Sequence, residues 1–317
     1  MSARSETAGV DRPTRTEPAG YAIGGVSFTA PRPPAGLHLV ATPIGNLGDI
    51  TIRALETLAG ADLIACEDTR VTRKLLDRFA IATRLTPYHD HNAASARPKL
   101  LEKLAGGAVV ALVSDAGTPL ISDPGFKLVR EASQAGITVT ALPGASSVLA
   151  ALCLAGLPTD RFFFEGFLPS KSSGRRTRIA ELARIDATLV LFESGSRIAD
   201  SLDDLAGGLG GRDAAVCREM TKLHEEVLRG PLAELARGGG ELETRGEFVV
   251  VIAPPAKTDA AMSDAELDEA LRSALAVGSV KDAVAEITEM SGRAKRDVYA
   301  RALELAKQLK GQLKGEG

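Results

Sequence analysis

Residues Ala108, Val109, Val110, Ala111, Leu112 and Val113 form an unbroken apolar run that stops at Ser114-Asp115-Ala116-Gly117-Thr118-Pro119. Such a run, bounded by turn formers, suits a strand buried on both faces of a parallel sheet; a one-sided strand would alternate apolar with polar residues. In open α/β sheets ligands lie outside the carboxyl ends of the strands, which is where the 114–119 loop falls. Its small side chains let a ligand approach the backbone, and Asp115 adds one fixed negative charge. The same design occurs earlier, where Leu37-His38-Leu39-Val40-Ala41 runs into Thr42-Pro43-Ile44-Gly45-Asn46-Leu47-Gly48-Asp49. Two loops bearing glycine and proline behind two strands outline a small-molecule pocket.

Apolar runs and helical periodicity predict strands over 37–41, 63–66, 109–113, 138–142, 162–164, 188–192, 214–217 and 248–253. Helices are expected over 51–59, 69–79, 94–104, 126–134 and 146–154. Alternation of this kind implies an α/β fold of βαβ units with right-handed crossovers. Residues 1–36 carry Pro13, Pro18, Pro31, Pro33 and Pro34 among small polar and charged residues and are expected to be disordered, having little apolar area to offset ordering entropy. Gly156-Leu157-Pro158 marks a boundary between an N-terminal lobe, 37–156, and a C-terminal lobe, 157–255, which Pro254-Pro255 closes. Ser263-Asp264-Ala265-Glu266 is a capping box opening a small helical domain over 263–312, with Val280, Val284 and Ile287 at helical spacing.

The net charge of −3 excludes a protein coated in positive charge, so any nucleic-acid contact must be local. Cys66, Cys153 and Cys217 are scattered and odd in number, which fits a reducing cytoplasm better than a disulfide framework. No apolar run approaches the roughly 20 residues that cross a bilayer, and no signal-peptide core is visible. No G-x-G-x-x-G follows a strand and no GxxxxGK[ST] occurs, so dinucleotide and P-loop chemistry are set aside.

Several groups remain as carriers of chemistry. Cys66-Glu67-Asp68-Thr69-Arg70 closes a strand and opens a helix; Asp68 or Thr69 can cap that helix and still face the cleft. His89-Asp90-His91 has no third metal ligand nearby and reads as a polar loop able to face the cleft. Lys171, Arg175, Arg176 and Arg178 fall within eight residues, beside Ser172, Ser173 and Gly174, a set suited to phosphate oxygens. Arg293, Lys295, Arg296 and Arg301 are equally well explained as a solvated helix face or as a second nucleic-acid contact.

Eight motifs in order resemble the tetrapyrrole-methylase superfamily of S-adenosylmethionine-dependent methyltransferases. They are the 41–49 loop, Cys66-Glu67-Asp68-Thr69-Arg70, His89-Asp90-His91-Asn92, Val113 with the 114–119 loop, Leu142-Pro143-Gly144, Glu165-Gly166-Phe167-Leu168-Pro169, Phe192-Glu193-Ser194 and Arg218-Glu219-Met220-Thr221-Lys222. Within that superfamily the match is to the branch that methylates a ribose 2′-hydroxyl of a cytidine in the decoding region of 16S rRNA. It covers 37–254; the N-terminal extension lies outside it and the helical tail matches loosely.

The resemblance implies a two-lobed class III methyltransferase fold, with S-adenosyl-L-methionine in the cleft and a cytoplasmic homodimer acting on the small ribosomal subunit. Carried over by position, Pro43, Ser114, Asp115, Ala116, Leu120, Ser146, Ser147, Phe192, Met220, Gly246 and Glu247 would line the cofactor. The superfamily's tetrapyrrole enzymes have Gly-Asp-Pro where this chain has Ser-Asp-Ala-Gly, which leaves the role of Asp115 open. A ribose hydroxyl is a weak nucleophile, so a positioned base is expected. Glu67, Asp68, His89, Asp90 and Asp115 are its candidates. Arg70, Lys171, Arg175 and Arg176 are the expected RNA contacts. Two alternatives stand beside this: a methyltransferase of a tetrapyrrole, which needs no basic loop at 171–178, and a non-catalytic nucleic-acid-binding regulator using the tail.

Overall fold

The computed structural model describes residues 19–238, 243–256, 262–291 and 293–315. The chain divides into two compact units, one ending at Pro255 and the other starting at Ala256.

The first unit opens with a hairpin, β1 (Gly20–Ile23) and β2 (Val26–Thr29), paired antiparallel. This corrects the expectation of disorder over 1–36 for its second half; residues 1–18 lie outside the described residues. Gly24 and Gly25, with φ of 59° and 85°, supply the two left-handed positions that a tight hairpin turn demands. Tyr21 stacks on Phe28 with ring centroids 5.3 Å apart and is buried against the apolar side of the next helix. Prolines on either side hid this short alternating segment in the composition.

Next come β3 (Gly36–Val40), α1 (Ile52–Gly60), β4 (Leu63–Cys66), α2 (Thr69–Arg78), β5 (Leu85–Pro87), α3 (Ala93–Ala105), β6 (Val109–Val113), α4 (Phe126–Gln134) and β7 (Val139–Leu142). The sheet order is β5-β4-β6-β3-β7, and all its pairs are parallel. The apolar run falls on the central strand β6. Val109, Ala111 and Val113 pack with α1 and α2, while Val110 and Leu112 pack with Leu100, Leu104 and Leu128 of α3 and α4. That two-sided burial is why the run does not alternate. β5 escaped the sequence because three residues ending in proline carry no periodicity; an edge position tolerates the missing N–H.

Helix α5 (Ser147–Ala155) comes next in sequence, but its Val148, Ala151, Leu152 and Ala155 pack against the second sheet. Arg229 Nε donates to the Leu154 carbonyl at 3.0 Å. The break in packing therefore falls before α5, ahead of the glycine-proline boundary at 156–158. The helix lacks a polar face, so the sequence did not reveal which sheet it would cover.

The second sheet is built from β8 (Phe162–Phe167), β9 (Thr188–Ser194), β10 (Asp213–Arg218), β11 (Glu226–Pro231) and β12 (Glu247–Ile252). Helices α6 (Ser172–Leu182), α7 (Ile198–Leu209) and α8 (Leu232–Arg237) are interleaved with them. Its order is β11-β10-β12-β9-β8, and only β8 and β9 run parallel. This departs from the βαβ alternation expected throughout. The 219–225 connection is too short for a parallel crossover, so β11 turns back as a hairpin partner of β10.

The second unit contains α9 (Asp264–Val277), α10 (Val280–Ser291) and α11 (Lys295–Gly315). Leu267, Leu271, Val284, Ile287, Val298 and Leu305 form its core. The Ser263–Glu266 capping box is in place, with Glu266 Oε2 accepting from the Ser263 N–H at 2.9 Å. Among the described residues no helix is long and apolar enough to cross a membrane.

Candidate active site

The carboxyl ends of the first sheet converge on one cleft. Thr42 and Gly117 exchange backbone hydrogen bonds at 2.9 and 3.0 Å, tying the loop after β3 to the loop after β6. The Ser114 hydroxyl donates to the Ala116 and Gly117 carbonyls at 3.2 and 3.0 Å, so this buried serine, expected on the cofactor, builds the turn. The turn sends Asp115 and Ala116 into a cavity of about 390 Å³. Ser146, Ser147, Phe192, Met220, Gly246 and Glu247 also line it. Leu120 does not: its side chain packs on the cluster under β6, and Ile121 takes the lining place.

The second lobe closes the cleft through the 219–225 loop. Lys222 Nζ donates to Glu219 Oε1 at 2.8 Å and to Glu247 Oε2 at 2.9 Å, and the Glu247 N–H donates to Glu219 Oε1 at 2.9 Å. A Cβ on Gly246 would sit 2.6 Å from Glu219 Oε1, and one on Gly45 would sit 2.4 Å from Lys222 Cγ. Glycine is needed at Gly45 because the two lobes touch there, and at Gly246 because the Glu219 carboxylate lies against its backbone. Five described non-glycine residues have φ in the left-handed region. Four of them, Leu120, Ser122, Glu219 and Thr221, belong to the two loops bordering the cleft. Strain of that kind collects where geometry serves function.

Pro43 lies outside this cavity. It lines a second one, of about 340 Å³, with Gly45, Leu47, Val71 and Lys74. The two cavities share Ile44, Asp115, Ala116, Lys222 and Glu247.

Carboxylates dominate the first-lobe side. Asp115 Oδ1 accepts from the Asp68 N–H at 3.0 Å. Burial, then the Asp68 charge, raises the Asp115 pKa above the usual carboxylate range. Burial, followed by Asp115 and Asp90, raises Glu67. Asp123, which the sequence did not single out, is pushed up to about 7 by burial first, then by Glu67 and Asp115; Glu67 is also its hydrogen-bond partner. Its only signal was its place in Ser122-Asp123-Pro124, just beyond the motif.

Asp68, expected as a base candidate, has a different task. It caps α2 through the Arg70 N–H at 2.8 Å and pairs with the Arg70 guanidinium at 2.6 Å. Those bonds pull its pKa down to about 2, away from a base's range. His89 is half-buried beside Glu67 and Asp90, with its Nδ1 buried and unpartnered among the described residues.

The basic segment at 171–178 is the start of α6. Arg175, expected to contact RNA, is 5% exposed and bonds to Asp204 at 2.6 Å, which corrects that expectation. Arg176 shares Asp204 at 2.6 Å, and Arg178 is held by Glu165 and Glu181. Asp204 can bind two arginines because it is itself enclosed between α6 and α7. In the helical unit Arg293 pairs with Asp264 and Arg301 with Asp268, so two of its four noted cations hold that unit together.

A two-lobed cleft, lined by apolar side chains and carboxylates at the ends of a parallel sheet, defines a binder of a small cationic cofactor. The chain belongs to the tetrapyrrole (corrin/porphyrin) methylases, whose family model matches residues 36–236. A model described as the RsmI C-terminal HTH domain matches residues 261–306. The chain is 52% identical over 272 residues to ribosomal RNA small subunit methyltransferase I of Mesorhizobium japonicum, covering 85% of this chain and 92% of that protein. It is 44% identical to the protein of the same name from Vibrio cholerae, covering 87% and 97%. Among solved structures, a diphthine synthase superposes with a TM-score of 0.55 at 20% identity, covering 68% of this chain and 89% of that one. The methyltransferase CobJ gives 0.53 at 22% identity, covering 70% and 95%. These two likenesses are of fold.

The protein is thus a methyltransferase whose methyl donor is S-adenosyl-L-methionine. The larger cavity fits this donor: Asp115 and Asp123 offer carboxylates to a molecule that would carry sulfonium and ammonium charges, and Ile44, Val148, Phe192 and Met220 offer apolar walls.

Proposed function

We propose that the protein methylates the ribose 2′-hydroxyl of a cytidine in the decoding region of 16S rRNA. The observation that supports this reading is the identity of 44% or more, over most of both chains, to enzymes named for methylating small-subunit ribosomal RNA. The bound donor supplies a methyl group already activated on sulfur. This chain's residues then have three tasks. The 114–119 turn, Ser146, Phe192 and Met220 hold the donor, and the lobes enclose it on two sides. Ile44 and Ala116 form an apolar wall that limits water around the transferring carbon. Asp115 takes the hydroxyl proton, with Glu67 and Asp123 sharing a proton beside it. Glu67 and Asp115 come from the candidate set read in the sequence; Asp68 is withdrawn from it, and His89 modulates Glu67 by its nearby charge.

The test is transfer of a labelled methyl group from S-adenosyl-L-methionine to small ribosomal subunits lacking the modification, followed by mapping of alkali-resistant linkages. Label at one cytidine ribose is the expected result. Label on a base, or tight donor binding with no transfer to subunits or free RNA, overturns the assignment.

A further inference from the structure

Apart from the shared wall, the second cavity and the helix beside it lie outside the cavity that fits the donor. Thr42, Pro43 and Gly45 form one side of this 340 Å³ space, and Val71 and Lys74 of α2 form the other. Leu47 and Val71 at its walls are 41% and 39% exposed, two aliphatic side chains left open to solvent. α2 carries Arg70, Arg73, Lys74 and Arg78 against one carboxylate, Asp77, a net of +3 in a chain whose total is −3. Arg70, Lys74 and Arg78 recur every four residues and share one helix face. All four cations are exposed, and Arg73, Lys74 and Arg78 have no ion pair among the described residues. The cations of α6, by contrast, mostly face carboxylates.

We infer that the second cavity receives the target nucleoside and that α2 carries the flanking RNA phosphates. The inference rests on the proposed rRNA reading and deepens it. Exposed aliphatic walls suit the faces of a base or sugar. Four exposed cations, of which Arg73, Lys74 and Arg78 are without an ion pair among the described residues, suit a phosphate backbone, which is recognised through charge rather than sequence. The target must be splayed out for its 2′-oxygen to enter so narrow a space.

The shared wall fixes where reaction occurs. An oxygen in the second cavity meets a methyl group in the first only beside Ile44, Asp115, Ala116, Lys222 and Glu247. There the ribose oxygen's lone pair forms the C–O bond as the C–S bond breaks. The C–S electron pair stays on sulfur, leaving a neutral thioether, and the hydroxyl proton passes to Asp115. Of the two shared carboxylates, Glu247 is already held by Lys222, whereas Asp115 accepts from a backbone N–H and has no ion pair among the described residues.

The test uses the full chain with three variants. Arg73→Glu/Lys74→Glu/Arg78→Glu alters the exposed face of α2. Val71→Trp fills the cavity mouth. Lys99→Glu/Lys103→Glu, on the exposed face of α3 across the same sheet, is the control. Binding to unmodified small-subunit RNA is measured at several salt concentrations, beside donor affinity by calorimetry and methyl transfer. The α2 variant should lose at least about tenfold in RNA affinity, and its salt slope should fall by about one for each phosphate no longer neutralised. Donor affinity should stay within about twofold. The tryptophan variant should keep RNA affinity yet lose transfer by about a hundredfold, as misplacement by a single ångström does. Equal loss in the α3 control, or full transfer by the tryptophan variant, overturns the placement. Wild-type transfer to rRNA that survives all α2 changes overturns this inference alone. A wild-type protein that neither binds nor methylates RNA overturns the proposed function as well.

Discussion

The two lobes treat charge in opposite ways. In the first, Glu67, Asp115 and Asp123 are crowded together and their pKa values are raised, while the cations of α2 stand exposed. In the second, acids and bases are matched. Asp204 binds Arg175 and Arg176, Arg178 binds Glu165, and Lys222 binds Glu219 and Glu247. Matched charges fix the packing of α6 on α7 and hold the 219–225 loop in place. Unmatched charges cost stability, and they remain where a ligand of complementary charge can complete them. The count of basic residues, which drew attention to 171–178, is a weaker guide than what faces them.

The largest effect should come from Asp115→Asn. Single-turnover methyl transfer is expected to fall by ~10²–10⁴-fold, the worth of a positioned base. Thermal unfolding at neutral pH should be unchanged or shifted upward, because a buried carboxylate is removed. A loss of stability with an intact rate would make Asp115 structural and break the contrast. Asp204→Ala should do the reverse. It leaves the buried Arg175 guanidinium unpaired and should cost about 3–5 kcal/mol in denaturant unfolding, while transfer by the protein still folded is unaffected.

pH sharpens the same contrast, with opposite signs. Asp123 is raised to about 7, so its contribution to stability is present below the ordinary carboxylate range and is lost as pH rises through 7. Asp123→Asn should therefore raise the melting temperature at pH 8 and leave it nearly unchanged near pH 4. Burial opposes ionisation of Asp204, but hydrogen bonds from Arg176, Arg175 and Ser172 outweigh it and hold the group below its usual value. Its contribution is present above the ordinary carboxylate pKa and is lost as pH falls through the depressed one. Transfer that needs Asp115 as the anion should fall at acid pH, from a point above the ordinary carboxylate range, and level off at higher pH. A flat profile would remove Asp115 from the chemistry.

The smallest effect is expected from Lys171→Glu/Arg176→Glu. Arg176 is an exposed partner of Asp204, and such a screened pair adds little to stability. RNA affinity should change less than in the α2 variant. A larger loss than in α2 would move the RNA path to the second lobe.

Much of the first lobe was legible because its strands are buried on both faces. The run at 108–113 could form little but a central parallel strand, and the helices expected from periodicity at 51–59, 69–79 and 126–134 are found at 52–60, 69–78 and 126–134. The resemblance implied a shared cofactor lining for Asp115, Phe192, Met220 and Glu247, and these four do line one cavity. The second lobe was less legible. β11 shows no clean alternation, and its hairpin pairing with β10 depends on loop length and on contacts distant in sequence.

The sequence by itself determined the class of fold, the strands that carry the cleft loops, and the family, because apolar patterning and loop chemistry are local and survive in a linear string. The tertiary structure decided which charges are free. Arg175 is buried on Asp204, Asp68 is held by Arg70, and Asp123 joins Glu67 and Asp115 only after separate loops meet. Burial and pairing depend on residues far apart in the chain, and they separate an ion pair that maintains the fold from a charge left available to a substrate.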